Sequence, residues 1–283
     1  MSSGVAVARQ QCGVALAVVV WFLAGMSLLV AGIVAGSRGD VRLARIHAEK
    51  ARVTAASDGA INLLVADLLD GYFAEGGRPT LAAQRYDIGP QAVSVVAVPV
   101  SWLVDINAAP LELLATGVAA TGAVDAERAR ALAGAVVQWR SAQPGSGRVQ
   151  QFSATEDLLG VAGMDRATLD GVRDFLAEPA AGSGLSQWGP AARQSLEAVL
   201  KLSPQRRVAA TVKSNGSVPG GAEAGEVQGV ANLAQRAGAY RVDAIVETDG
   251  KHWLRRRWID TSLAARGAPW RHVRTEPVRV IGS

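Results

Sequence analysis

Cysteine is almost missing from this chain. Among 283 residues only Cys12 is a cysteine, so no internal disulfide framework and no cysteine-ligated zinc can form. Histidine is nearly as scarce. His47, His252 and His272 lie far apart, and none stands in a metal-ligand spacing. There is no phosphate loop, dinucleotide fingerprint or nucleophile elbow, and the carboxylates are scattered. The sequence therefore offers no catalytic centre and calls for no cofactor. An excess of one charge is lacking too: 29 Lys and Arg against 25 Asp and Glu leave +4, which is too mild to demand a nucleic-acid partner.

The most informative absence is local. Residues 14–36 carry no charge over 23 positions. As a helix that run reaches about 35 Å, and a hydrocarbon core needs about 20 apolar residues, so it is long enough to span a bilayer. A secretory signal has an apolar region of only ~7–15 residues followed by a small-residue cleavage site. This run exceeds that and has no clear site at its end. A lipoprotein signal is excluded because Cys12 precedes the apolar run.

What precedes the run is short and polar, with Arg9, Gln10 and Gln11, and it ends in Gly13. This arrangement resembles the type III (prepilin) signal of type IV pilins and type II secretion pseudopilins. The resemblance implies that a prepilin peptidase cuts between Gly13 and Val14 on the cytoplasmic side. The apolar helix is then kept, and Val14 becomes the N-methylated N-terminus. Most pilin-like proteins carry Glu at the fifth mature position; here that position is Val18. Loss of the leader would remove Arg9 and Cys12, leaving a cysteine-free product of charge +3, compatible with the periplasm. Flank charges point the other way. Arg38, Arg42, Arg45, Lys50 and Arg52 follow the run against Asp40 and Glu49, which favours a cytoplasmic domain by the positive-inside rule. The leader signature favours residues 38–283 in the periplasm.

Beyond the run the pattern remains helical. Leu43, Ile46, Val53, Ala60, Ile61, Leu64 and Leu68 recur at three- and four-residue steps, and Gly76, Gly77 and Pro79 stop the helix. Gly32 and Gly36 form a GxxxG pair, a common spacing. Residues 86–104, rich in Val, predict one or two strands. In DINAAP, Asn107 is a candidate helix cap and Pro110 suits a first turn. A second helix is predicted over 125–142, with Ala129, Leu132, Val136 and Trp139 on one face. A third starts at a capping box of Ser153 and Glu156 and continues through DRATLDGVRDFL. Residues 179–184 predict a hinge, and QWGPAARQSLEAVLKL repeats the DINAAP helix in weaker form. VAATVK, 208–213, predicts a strand. A hairpin is predicted over 240–248 and 251–259 around Asp249 and Gly250, and a last strand over 272–281.

The order of these features resembles the minor pseudopilin K of the type II secretion system, the general secretion pathway protein K family, over nearly the whole chain. That family carries an Asn-x-Asn-Thr-Ala-type motif before a helical insertion. Here Asn107, Ala109 and Pro110 fit, while Asp105 and Ala108 replace the usual Asn and Thr. The resemblance implies an α+β fold in which a long N-terminal transmembrane helix packs on an antiparallel sheet that carries an inserted, mainly helical domain. The implied division is a leader at 1–13, a span at 14–37 and a periplasmic helix with first strands at 38–104. The insertion follows at 105–207 and the closing strands at 208–283. The implied partners are the I- and J-type minor pseudopilins, the major pseudopilin, the inner-membrane secretion platform and the prepilin peptidase. Some relatives bind calcium, but the loop over 213–229 holds only Glu223, Glu226 and Asn215 as plausible donors, fewer than calcium takes.

Two other readings stand beside this one. LLGVAGMDRATLDGV, 158–172, has the shape of a helix-hairpin-helix, and Arg255–Arg256–Arg257 between Trp253 and Trp258 combines basic and aromatic residues as DNA-binding surfaces do. Strand alternation splits that set between two faces, so a solvated strand with two buried or stacked tryptophans accounts for it equally. The third reading is an unrelated single-pass protein whose helical insertion binds partners.

Overall fold

The computed structural model describes residues 11–73, 83–122, 124–141, 151–213, 238–262 and 270–282. It divides into two units, Met1–Arg52 and Val53–Ser283. Helix α1, Gln11–Phe73, is continuous over 63 residues, as its uninterrupted helical pattern predicts. In the first unit residues 15–34 are exposed throughout. Leu43 and Ile46, 55% and 48% exposed, do not join the apolar stripe predicted for them; burial of that stripe begins at Val53. The predicted stop at Gly76, Gly77 and Pro79 lies outside the described residues.

The second unit is built on an antiparallel sheet in the order β1–β2–β3–β4–β5, with β6 also pairing β4. Strands β1 (Gln84–Ile88) and β2 (Gln91–Pro99) form a hairpin that turns at Gly89, φ +58°. Strands β3 (Ala239–Thr248) and β4 (Lys251–Asp260) form the predicted second hairpin. Its turn places Asp249 and Gly250 at φ 49° and 71°, the pair of left-handed residues that a tight two-residue hairpin requires. The predicted last strand is broken in two, β5 (Arg271–Thr275) and β6 (Arg279–Gly282). Glu276, Pro277 and Val278 interrupt it, since Pro277 has no N–H to give the ladder.

The register assigns the faces. Val93, Val95 and Ala97 share a side with Val242, Ala244 and Val246 and with Trp253, Arg255 and Arg257. The second half of α1 covers this side. A Cβ placed on Gly59 would meet Ile88 at ordinary van der Waals distance, 3.8 Å, the Tyr86 hydroxyl donates to Asp67, and Val53, Ala60, Ile61, Leu64 and Leu68 are buried in the core. The opposite side presents Arg241, Asp243, Ile245, Leu254, Arg256 and Trp258, and a helical block lies over it.

That block contains α2 (Leu111–Ala120), α3 (Ala126–Ser141), α4 (Arg166–Val172), α5 (Pro190–Leu202) and α6 (Pro204–Lys213). Its buried apolar residues in α2 to α5 belong to the same core as the sheet. Three expectations are corrected here. The Thr155–Gly160 segment is a short 3-10 helix separated from α4 by a turn at Gly163, φ +83°, so the third helix is two. Residues 208–213 are helical. Pro204 stands at the helix start, where its missing N–H costs nothing, and Val208 packs with Ile245 and Leu254. Tertiary burial thus overrides the β-branched residues. Residues 179–184 are pinned rather than hinged: Asp105 N donates to Leu185 O at 3.1 Å, and a Cβ on Gly184 would stand 2.3 Å from Leu103 O.

Candidate functional site

The predicted processing site, Gly13–Val14, lies in the first turns of α1. Val18 is 62% exposed on the same helix, so position five of the processed chain would offer a neighbouring helix a methyl-bearing surface and no carboxylate.

The DINAAP segment forms a closed knot. Asp105 Oδ1 accepts from Asn107 N at 2.8 Å and Ala108 N at 3.2 Å, a local turn that Asp favours. Asn107 does not cap α2. Its amide clamps a remote backbone instead: Nδ2 donates to Phe152 O at 3.0 Å, and Phe152 N donates to Oδ1 at 2.8 Å. Pro110 stands one place earlier than expected, as the residue before α2. Ala109 is fully buried, and its carbonyl accepts from Arg140 Nη2 at 2.8 Å while Ile106 O accepts from Nη1 at 3.1 Å. Burial holds the Arg140 guanidinium below its ordinary value, with Asp105 opposing. Phe152 then stacks on Trp139 with centroids 4.0 Å apart. The motif therefore fastens three separate stretches of the helical block together. The predicted capping box is also reassigned. Asp157, not Glu156, accepts from Ser153 N and Ala154 N at 2.7 and 3.0 Å.

A buried charge network joins the block to the sheet. Asp243 Oδ1 accepts from Arg256 Nε at 2.6 Å, and Asp243 Oδ2 lies 3.0 Å from Arg241 Nε. Arg256 Nη2 reaches Asp174 Oδ1 at 2.6 Å, and Arg241 Nη1 donates to the Asp174 carbonyl. All four side chains are at most 1% exposed. Asp174 belongs to the block, in the 3-10 turn Arg173–Phe175; the other three belong to β3 and β4. Burial alone would push the Asp243 carboxyl up, but Arg241 and Arg256 bring it below its ordinary value. Burial would lower Arg256, and the facing Asp243 and Asp174 raise it. Burial lowers Arg207, which lies against Ser94 on the same face, to about 10.

A second cluster continues outward. Glu156 accepts from Arg173 at 2.8 Å and from Arg274 at 2.7 Å. Glu178 pairs with Arg274 and accepts from the Thr155 hydroxyl at 2.9 Å. The two carboxyls move in opposite directions. Burial would raise Glu156, but its contacts with Arg274 outweigh that and hold it low. At 2% exposure, Glu178 is raised because burial exceeds the pull of Arg274.

The three consecutive arginines are used internally. Arg255 and Arg257 pair with Asp58 of α1 at 2.9 and 2.6 Å, and Arg256 belongs to the network above. The strand is not solvated, and these guanidinium groups do not form a basic strip for nucleic acid. In the hairpin over 158–172, Leu158, Val161, Leu169 and Val172 are buried core residues. Glu223, Glu226 and Asn215 lie outside the described residues. In the weaker repeat, Trp188 is 37% exposed and sits 5.5 Å from the Arg193 guanidinium, beside a surface cavity of about 350 Å³.

Two signals were present in the sequence for residues it did not single out. Arg241 and Asp243 alternate within an apolar strand, which is costly unless the charges are paired inside. Arg140 continues the stripe of Ala129, Leu132 and Val136 at a four-residue step.

Neither a protein-family model nor a curated protein matches the chain. A solved chain that resembles it comes from the crystal structure of the GspK-GspI-GspJ complex of the enterotoxigenic Escherichia coli type 2 secretion system. Identity is 11% and the TM-score 0.43, over 86% of this chain and 99% of that one. A likeness of that degree decides neither fold nor function, and both rest here on the residues described.

Proposed function

We propose that this chain is a minor pseudopilin of a type II secretion system, held in the bacterial inner membrane by one span with residues 38–283 in the periplasm. The observation that carries the reading is a single helix with three successive characters. The sequence at its start is polar up to Gly13. Residues 14–36 are uncharged, residues 15–34 are exposed, and Val53, Ala60, Ile61, Leu64 and Leu68 are buried against an antiparallel sheet. A cleaved signal peptide would not need to continue into the core of the domain it delivers.

The I- and J-type minor pseudopilins, the major pseudopilin, the secretion platform and the prepilin peptidase are the proposed partners. The position within the assembly follows from Val18. In a bundle of such helices the N-terminal amine lies in a low dielectric, where an unpaired charge costs several kcal/mol, roughly. A subunit without a position-five Glu has no carboxylate for the amine of a subunit above it. Its own amine at Val14 is met from below. The arrangement with no unpaired amine puts the chain at the tip, where it initiates the pseudopilus. The helical block adds bulk on one sheet face, which also suits an end position better than an enclosed one.

The test has two parts. The protein isolated from peptidase-competent membranes should begin at Val14, and a start at Met1 or Ser2 would refute processing. Cross-linking to pseudopilin subunits should find it at filament ends. A regular distribution along the shaft, at levels near the major subunit, would refute the tip assignment.

A further inference from the structure

We infer that Arg42 and Arg45 bind the phosphodiester headgroups of anionic phospholipid at the boundary of the membrane that α1 crosses. The inference rests on residues 14–36 being a span and not on the pseudopilin assignment.

Both arginines are exposed, and neither has a hydrogen-bond or ion-pair partner among the described residues. They stand six and nine positions beyond the end of the uncharged run, about 9 and 14 Å along a helix axis. The headgroup layer extends about 5–7 Å beyond the hydrocarbon, so the backbone lies about 2–4 Å outside it at Arg42 and about 7–9 Å outside it at Arg45. Direction closes the gap. Side chains on a helix lean toward its N-terminus, and here the N-terminal direction is the membrane. Arginine stems are long enough to snorkel back to the phosphate level.

Position around the helix agrees. Arg42 and Arg45 lie about 60° apart and share one face, while Asp40, the acidic residue nearest the span, lies about 140–160° away from them. Glu49 shares their face but is 13 positions beyond Gly36, about 20 Å out and past the headgroup layer. The face next to the lipid is therefore purely cationic, and it continues the surface that residues 15–34 expose. Guanidinium groups suit phosphodiesters because they donate in a fork to two oxygens. Such contacts would fix the depth of the helix in the bilayer, and they account for a positive flank on a domain proposed to be exported.

The test uses the full chain reconstituted in vesicles of phosphatidylcholine or of equal parts phosphatidylcholine and phosphatidylglycerol. Selectivity is read from the immobilised fraction of spin-labelled lipids. Each arginine should contribute about fivefold in preference for phosphatidylglycerol, corresponding to about 1 kcal/mol near an anionic surface. The Arg42→Gln/Arg45→Gln variant should lose that preference, Arg42→Lys/Arg45→Lys should retain most of it, and high salt should reduce it. Unchanged selectivity in the glutamine variant would overturn the inference. Weakened association with another pseudopilin while lipid selectivity persists would also overturn it, assigning the face to a protein. Release of the wild-type chain from the vesicles by alkaline carbonate would instead refute the span.

Discussion

Asp243 is the residue on which the junction between sheet and helical block turns, and Asp243→Asn is the sharpest perturbation of it. The change preserves shape and removes one charge. It leaves Arg241 and Arg256, both essentially unexposed, with Asp174 and, more weakly, Glu276 as the remaining carboxylates acting on them. Removing one partner from a buried ion pair costs about 3–5 kcal/mol, because the surviving charge is stranded away from water. The unit that contains the network spans residues 53–283, that is 283 − 52 = 231 residues. A unit of that size loses about 2–4 °C in Tm per kcal/mol, so the variant should melt about 6–20 °C lower. Fluorescence of the buried Trp102, Trp253 and Trp258 in the full chain in detergent reports the transition.

Two controls separate charge from packing. Asp58→Asn disrupts the pairs to Arg255 and Arg257 on the other sheet face. Asp58 is 24% exposed, so the loss should be smaller, about 1–2 kcal/mol. Replacing Arg241, Asp243, Arg256 and Asp174 together with apolar residues of similar volume should be close to neutral, because a buried pair gains little net over good apolar packing. A melting point for Asp243→Asn within about 2 °C of wild type, less than the shift of 1 kcal/mol, would refute the account.

Three further outcomes are expected. Replacing Gly13 with a bulky residue should leave the precursor uncleaved, as seen by intact mass of the membrane-bound protein. Asn107→Ala should cost about 1–3 kcal/mol, since it removes both hydrogen bonds to Phe152 and leaves buried backbone groups unpaired; thermal melting checks this, and an unchanged melting point would show that the clamp is not needed. Acid should loosen the junction. Asp243 and Glu156 are lower in the folded chain, so the unfolded chain binds more protons and stability rises with pH. Their contribution is complete above the ordinary values of 3.8 and 4.5 and is lost as pH falls through the lower folded values. Glu178 acts with the opposite sign, its raised value costing stability as it ionises. Tm against pH should therefore fall less steeply on the acid side for Asp243→Asn than for wild type.

What the sequence made legible was local. The long helix, the β3–β4 hairpin and the first two helices of the block follow from periodicity, turn residues and proline placement, which act over a few positions. The failures share a cause. Residues 208–213 have strand-forming side chains, yet Pro204 starts a helix and Val208 finds its partners on β3 and β4. Residues 179–184 have hinge composition, yet Gly184 is there because the backbone of Leu103 passes too close for a side chain. Asn107 looks like a cap because caps are local, and its true partner is 45 residues away.

The three arginines show why composition misjudged this surface. Read along the strand they are a basic cluster with aromatic neighbours, the pattern of a nucleic-acid contact. Their carboxylates come from 197 residues away for Arg255 and from 82 and 13 residues away for Arg256. The strand lies between α1 on one face and the helical block on the other, and period-two alternation delivers one arginine to each side in turn. A charge cluster on a strand covered on both faces must be neutralised from both layers, because an unpaired buried charge costs about 3–5 kcal/mol. That requirement makes Arg255 and Arg257 specific to α1 and Arg256 specific to the block. Exchanging Asp58 and Asp174 for neutral residues should then weaken different layers. Asp58→Asn should speed hydrogen exchange in residues 53–68 first, and Asp174→Asn in α5 and α6. If both variants opened the same layer, the two faces of the sheet would not be held independently.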